Sequence, residues 1–153
     1  MIFPDISPKQ AMQYSYMCTR LKQTMDTMHR ARKTLENIAN TSFDKSLAKC
    51  VYLLASESLQ CENEIRAQID SLICANYDED ITADKKLPAL YSMHGLDSIC
   101  NYFEEVYLKS YRRLLSDKHL GSSIKSLVQN HLQLFISSLT QLRLFNDVKS
   151  AAN

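Results

Sequence analysis

An all-α fold, a bundle of four helices, is what this sequence predicts, and three observations predict it. Chain punctuation is scarce: 153 residues contain only two glycines, Gly95 and Gly121, and three prolines, Pro4, Pro8 and Pro88, too few for hairpins, tight turns or glycine-rich phosphate loops. Apolar residues return every three or four positions through long stretches, the period of a helix with one buried face. The breakers fall between those stretches or near their ends. The nearest approach to a strand is the apolar run Leu132 to Ile136, and the helical register on both sides overrules it.

The first helix is expected over 8–39. Ser7 offers an N-cap hydroxyl, Pro8 occupies the first helical position and Gln10 is the reciprocal partner three residues on from the cap, the layout of a capping box. Tyr14, Met17, Leu21, Met25, Met28, Leu35 and Ile38 then draw one apolar stripe. Asn40, Thr41 and Ser42 break it. A second helix is expected over 43–74 with Leu47, Val51, Leu54, Ser58, Cys61, Ile65 and Leu72 inward. The polar run from Asn76 to Pro88, with Asp78, Glu79 and Asp80, reads as a long connection between the second and third helices, of the kind that crosses a bundle from end to end. The third helix, over 96–116, carries Leu96, Ile99, Phe103, Val106, Tyr107, Tyr111 and Leu114. The fourth, over 120–149, carries Ile124, Leu127, His131, Leu134, Leu142 and Phe145. The chain reads as a single domain, 1–153.

Composition bounds the function. With 45% hydrophobic and 23% charged residues, the chain can bury one substantial core and is not a disordered segment. Eighteen basic against seventeen acidic residues leave no basic field for nucleic acid, and the densest basic spots, Arg112 with Arg113 and Arg30, Arg32 and Lys33, read as solvated helix faces. No stretch reaches the roughly 20 apolar residues of a membrane span and no signal peptide opens the chain, so a cytoplasmic location without membrane contact is expected. The five cysteines, Cys18, Cys50, Cys61, Cys74 and Cys100, are odd in number and lack Cys-x-x-Cys spacing. They read as small buried hydrophobes rather than a disulfide framework or a zinc ribbon.

Two stretches resemble a known group. Ala31 to Leu72, where a short polar break precedes an aromatic-led helix with Glu62, Glu64 and Ile65 late in it, and Cys100 to Leu115, beginning Cys-Asn-Tyr-Phe-Glu-Glu-Val-Tyr-Leu-Lys-Ser-Tyr, are similar to the ferritin-like four-helix bundles. The likeness is to a bacterial ferritin-like family of the domain-of-unknown-function 2383 type. The resemblance implies a ferritin-like fold and no particular reaction, since that family has none assigned.

Ferritin-like di-iron centres use one Glu from each of two helices and a Glu-x-x-His pair from each of the others. That pattern is incomplete here, because Glu57 is followed by Gln60 at the third position and Val128 stands where a Glu would precede His131. The metal candidates that remain are Glu57, Glu62, Glu104 and His131, with iron or another divalent metal as the ion such a reduced site would take. Glu36 lies beside them, and Asp26 with His29 forms one more carboxylate and imidazole pair on a helical face. The competing reading places the carboxylates at stripe edges and makes His131 a core histidine bonded to a neighbouring helix.

No nucleophile elbow, phosphate loop or His-Glu-x-x-His helix is present in the sequence. His119, next to Gly121 at a helix junction and without a following lysine, departs from the mid-helix histidine of phosphotransfer bundles. The expected function is therefore a non-enzymatic structural or interaction module, with an atypical metal-binding ferritin-like protein as the alternative. Homo-oligomerisation, as a dimer, or binding of a protein partner is expected, and Leu132, Phe135 and Leu139 beside the main stripe suggest a dimer surface.

Overall fold

The computed structural model describes residues 7–42, 44–72 and 96–151, with side chains described as far as Phe145. Among these residues there is no strand. The helices are α1 (Pro8–Thr41), α2 (Lys45–Ser71), α3, which is continuous from Leu96–Phe103 through a π turn at Glu104–Leu108 to Lys109–Leu115, and α4 (Ser122–Ala151). None of them is long and apolar enough to cross a membrane.

The local signals explain the ends. Ser7 accepts a hydrogen bond from the Gln10 amide at 3.2 Å while the Gln10 side chain accepts from the Ser7 amide at 3.3 Å, so two otherwise orphaned donors are satisfied at once. Helix α2 begins two residues later than its sequence suggests, because Asp44 is the better cap: its Oδ1 accepts from the amides of Ser46 and Leu47 at 3.0 and 3.2 Å.

Side-chain contacts fix the helix directions. Helix α1 is followed directly by α2 and runs antiparallel to α3, since Tyr16 meets Asp117 while Met28 meets Tyr107 and Tyr111; His29 and Arg32 of α1 both meet Glu62 of α2, and α2 returns alongside α1. Helix α4 runs antiparallel to both α2 and α3, pairing Ser138 with Glu57, His131 with Glu64, and Arg143 with Glu104. Helices α2 and α3 are consequently parallel, and Leu72 closes α2 at the end of the bundle opposite to the one where Leu96 opens α3. Residues 73–95, on which the expected long connection falls, lie outside the described residues.

One core runs along the seam. Phe135 of α4 is fully buried, its ring 5.2 to 5.5 Å from those of Phe103, Tyr107 and Tyr111. The π turn explains how three residues spaced by four all stay inward. In a regular helix each step of four overshoots a full turn by about 40°, and one wide turn takes back that drift. The buried stripe of α4 is Ile124, Val128, His131, Leu132, Phe135, Leu139 and Leu142, which corrects the expected register: Leu127 is half-buried and Leu134 exposed. Leu132, Phe135 and Leu139 are thus core rather than dimer surface.

Two further expectations change. Arg32, read as part of a solvated face, is 6% exposed. Cys18 is disulfide-bonded rather than the unbridged hydrophobe that the sequence suggests, while Cys50, Cys61 and Cys100 are free thiols; Cys74 lies outside the described residues. An odd cysteine count rules out a fully paired set but not a single bridge.

Asp117 ties the start of α1 to the turn after α3. Burial works against its charge, but the His119 amide, the Tyr16 hydroxyl and the Arg20 guanidinium outweigh it and hold the carboxyl below its ordinary value. A depressed carboxyl stabilises the fold above its unfolded value of about 4 and loses that contribution as pH falls through the folded value. Asp117→Asn is expected to cost about 1 kcal/mol at neutral pH and, in urea titrations from pH 7 down to 2, to remove part of the acid sensitivity; an unchanged pH profile contradicts the assignment.

Candidate functional site

The middle of the bundle is polar, and its polar groups come from three helices. Arg32 of α1 grips Glu62 of α2 as a fork: Nε donates to Oε2 at 2.5 Å and Nη2 to Oε1 at 3.4 Å. Its third nitrogen, Nη1, donates to Glu36 Oε1 at 2.5 Å, one helical turn on. Glu62 is 1% exposed, so its charge has left water almost completely and needs this partner. Ser58 Oγ donates to Glu62 Oε2 at 3.5 Å and lies 2.9 Å from Tyr107 Oη of α3, which reaches the Met28 carbonyl at 3.4 Å. His29 Nδ1 sits at the outer edge, 3.2 Å from Glu62 Oε1 and 2.9 Å from Arg32 Nη2.

A second polar cluster lies at the α2–α4 seam. Tyr111 Oη donates to Met28 Sδ at 3.2 Å and lies 3.0 Å from His131 Nδ1. His131, 3% exposed, turns its Nε2 to Glu64 Oε2 in a short contact. Cys61, one turn before Glu64, completes a group whose three ligand atoms all lie within 4.8 Å of one another. Burial, helped by the carboxylates of Glu64, Glu57 and Glu62, pushes the Cys61 thiol up to about 12. Burial raises the phenols of Tyr107 and Tyr111 as well, so both remain neutral donors and acceptors at any ordinary pH.

The four metal candidates named from sequence share no partner with one another. Glu57 accepts from Ser138, Glu62 from Arg32, Glu104 from Arg143 on a half-exposed surface, and His131 faces Glu64 and Tyr111. The His119 side chain is exposed in the turn after α3, edge-on to Tyr16. The di-iron centre implied by ferritin-like resemblance does not fit this donor set: the inward carboxylate Glu62 is held by a guanidinium, a cation that repels a metal ion, and the inward groups around it are a serine and two neutral tyrosines.

Sequence reasoning placed Cys61 inward as a hydrophobe but missed it, with Arg32 and Glu64, as a member of the polar clusters. The available signals were their positions. Arg32 falls one turn after Met28 on the buried stripe of α1, and Cys61 and Glu64 share a helical face at a spacing of three.

Comparisons with protein-family models, with curated proteins and with solved structures find no match to this chain.

Glu62→Gln is expected to destabilise the fold by about 3 kcal/mol, at the low end for a broken buried pair because Glu36 still faces Arg32. The check is the urea midpoint at constant m-value; a loss below about 0.5 kcal/mol contradicts the central role given to the pair.

Proposed function

We propose that this chain is a ferritin-like helical bundle acting as a non-enzymatic structural or interaction module, without paired-iron chemistry. The ferritin-like part is supported by topology. Helices α2 and α3 run parallel, whereas short loops alone would make successive helices alternate in direction. The absence of iron chemistry is supported by the donor set, in which Arg32 holds the inward carboxylate.

The observation that carries the interaction reading is on the outside. After the core is complete, α2 and its neighbour α4 still expose Tyr52, Leu53, Leu59, Leu134 and Leu144. Single exposed leucines are ordinary, but five large apolar side chains on two adjacent helices gain from being covered. A second copy of the chain is the simplest cover, since a symmetric dimer buries the same residues of both subunits.

Light scattering coupled to size exclusion tests this reading. The wild-type chain is expected to elute with the mass of a dimer, and Leu53→Glu combined with Leu144→Glu, both at exposed positions, to elute as a folded monomer at the same concentration. A wild-type chain that is monomeric at every concentration up to about 100 μM, with a dissociation free energy then weaker than about 5.5 kcal/mol, contradicts self-association.

A further inference from the structure

His131 is the starting point, because its two ring nitrogens have different neighbours. Tyr111 Oη lies 3.0 Å from Nδ1 and donates to Met28 Sδ at 3.2 Å. Either Tyr111 or His131 can donate across the Oη–Nδ1 contact, and Nε2 faces a carboxylate oxygen of Glu64. When Nδ1–H donates to the phenol, Nε2 offers its lone pair beside that carboxylate.

The third donor selects the cation. Cys61 Sγ is within 4.8 Å of both His131 and Glu64 ligand atoms, so a sulfur, a nitrogen and an oxygen ligand converge on one point. A thiolate, an imidazole and a carboxylate on three protein ligands with one open position form a donor set suited to zinc. We propose that Cys61, Glu64 and His131 bind one Zn²⁺ ion, tying α2 to α4. Neighbouring donors around tetrahedral zinc lie roughly 3.3 to 3.7 Å apart, so the site closes by movements on the order of 1 Å: Nε2 and the carboxylate part slightly and the thiol draws in.

The surroundings suit an ion. In the tautomer with Nδ1–H, Tyr111 receives that proton and so orients the ring, the part a hydrogen-bond partner plays for a metal-bound histidine. Glu57 and Glu64 add negative field around Cys61. The Glu64 side chain is 42% exposed, which gives the ion a way in and leaves a water in the fourth position. On binding, the Cys61 thiol loses its proton to the buffer, so uptake strengthens as pH rises.

The test uses the full chain, stripped with a chelator and dialysed, titrated with zinc chloride by calorimetry and with Co²⁺ as an optical probe. One equivalent of either metal is expected to bind, Co²⁺ giving tetrahedral ligand-field bands and a thiolate charge-transfer band. Cys61→Ser is expected to abolish the charge-transfer band, and Glu64→Gln, at a half-exposed position that leaves folding intact, to weaken zinc binding at least about tenfold. Failure of the stripped wild type to take up zinc at about 10 μM free metal overturns the proposal. So does uptake undiminished in Glu64→Gln, which places the ion elsewhere. If Cys61→Ser does not fold, the Glu64→Gln titration decides.

Discussion

The buried pair between Arg32 and Glu62 sets the terms for the rest of this bundle. A carboxylate at 1% exposure and a guanidinium at 6% have both given up hydration worth several kcal/mol each, and only complete pairing recovers it. The fork from Arg32 to Glu62, the third nitrogen to Glu36, and Ser58 on the remaining side satisfy the lone pairs that water would otherwise fill. This requirement fixes α1 against α2 in both register and rotation, because sliding either helix by one residue would strand a charge in the core. The aromatic ladder of α3 is placed by the same constraint. Tyr107 must reach Ser58 and the Met28 carbonyl, while Phe103 and Tyr111 must still pack on Phe135. The π turn at Glu104–Leu108 reconciles the two demands.

The two polar clusters differ in what they leave open. Around Glu62 every inward group has a neighbour of opposite or complementary character, and the neutral tyrosines close it from the α3 side. The result is a structural core. At the α2–α4 seam the donors Cys61, Glu64 and His131 face one another, and one of them reaches solvent. Chemistry that needs an exchangeable ion belongs at the seam, and rigidity belongs at the centre.

How much of this was legible in the sequence follows from the range of each interaction. The four helices, the Ser7–Gln10 capping box and the inward Phe103, Tyr107 and Tyr111 rest on neighbours within one or two turns, and they read directly. Arg32 did not, because its partner is 30 residues away and three nearby basic residues make a surface face the ordinary interpretation. The stripe of α4 slipped by one position at Leu127 and Leu134, since leucines flank both sides of the true line and periodicity alone cannot choose between them. Glu64 was not among the metal candidates, because the residue it meets, His131, comes from another helix 67 residues away. Cys18 was read as a plain hydrophobe because helical periodicity marks a buried position without showing whether a cysteine there is bridged.

The claim that the centre is closed by a mutual ion pair is tested most directly by a double-mutant cycle with Arg32→Met, Glu62→Leu and the combined variant, each unfolded in urea. The account predicts that either single change costs about 3 kcal/mol or more, while the double variant recovers most of the loss, a coupling of at least about 2 kcal/mol. Additive single effects, with a coupling near zero, would contradict it.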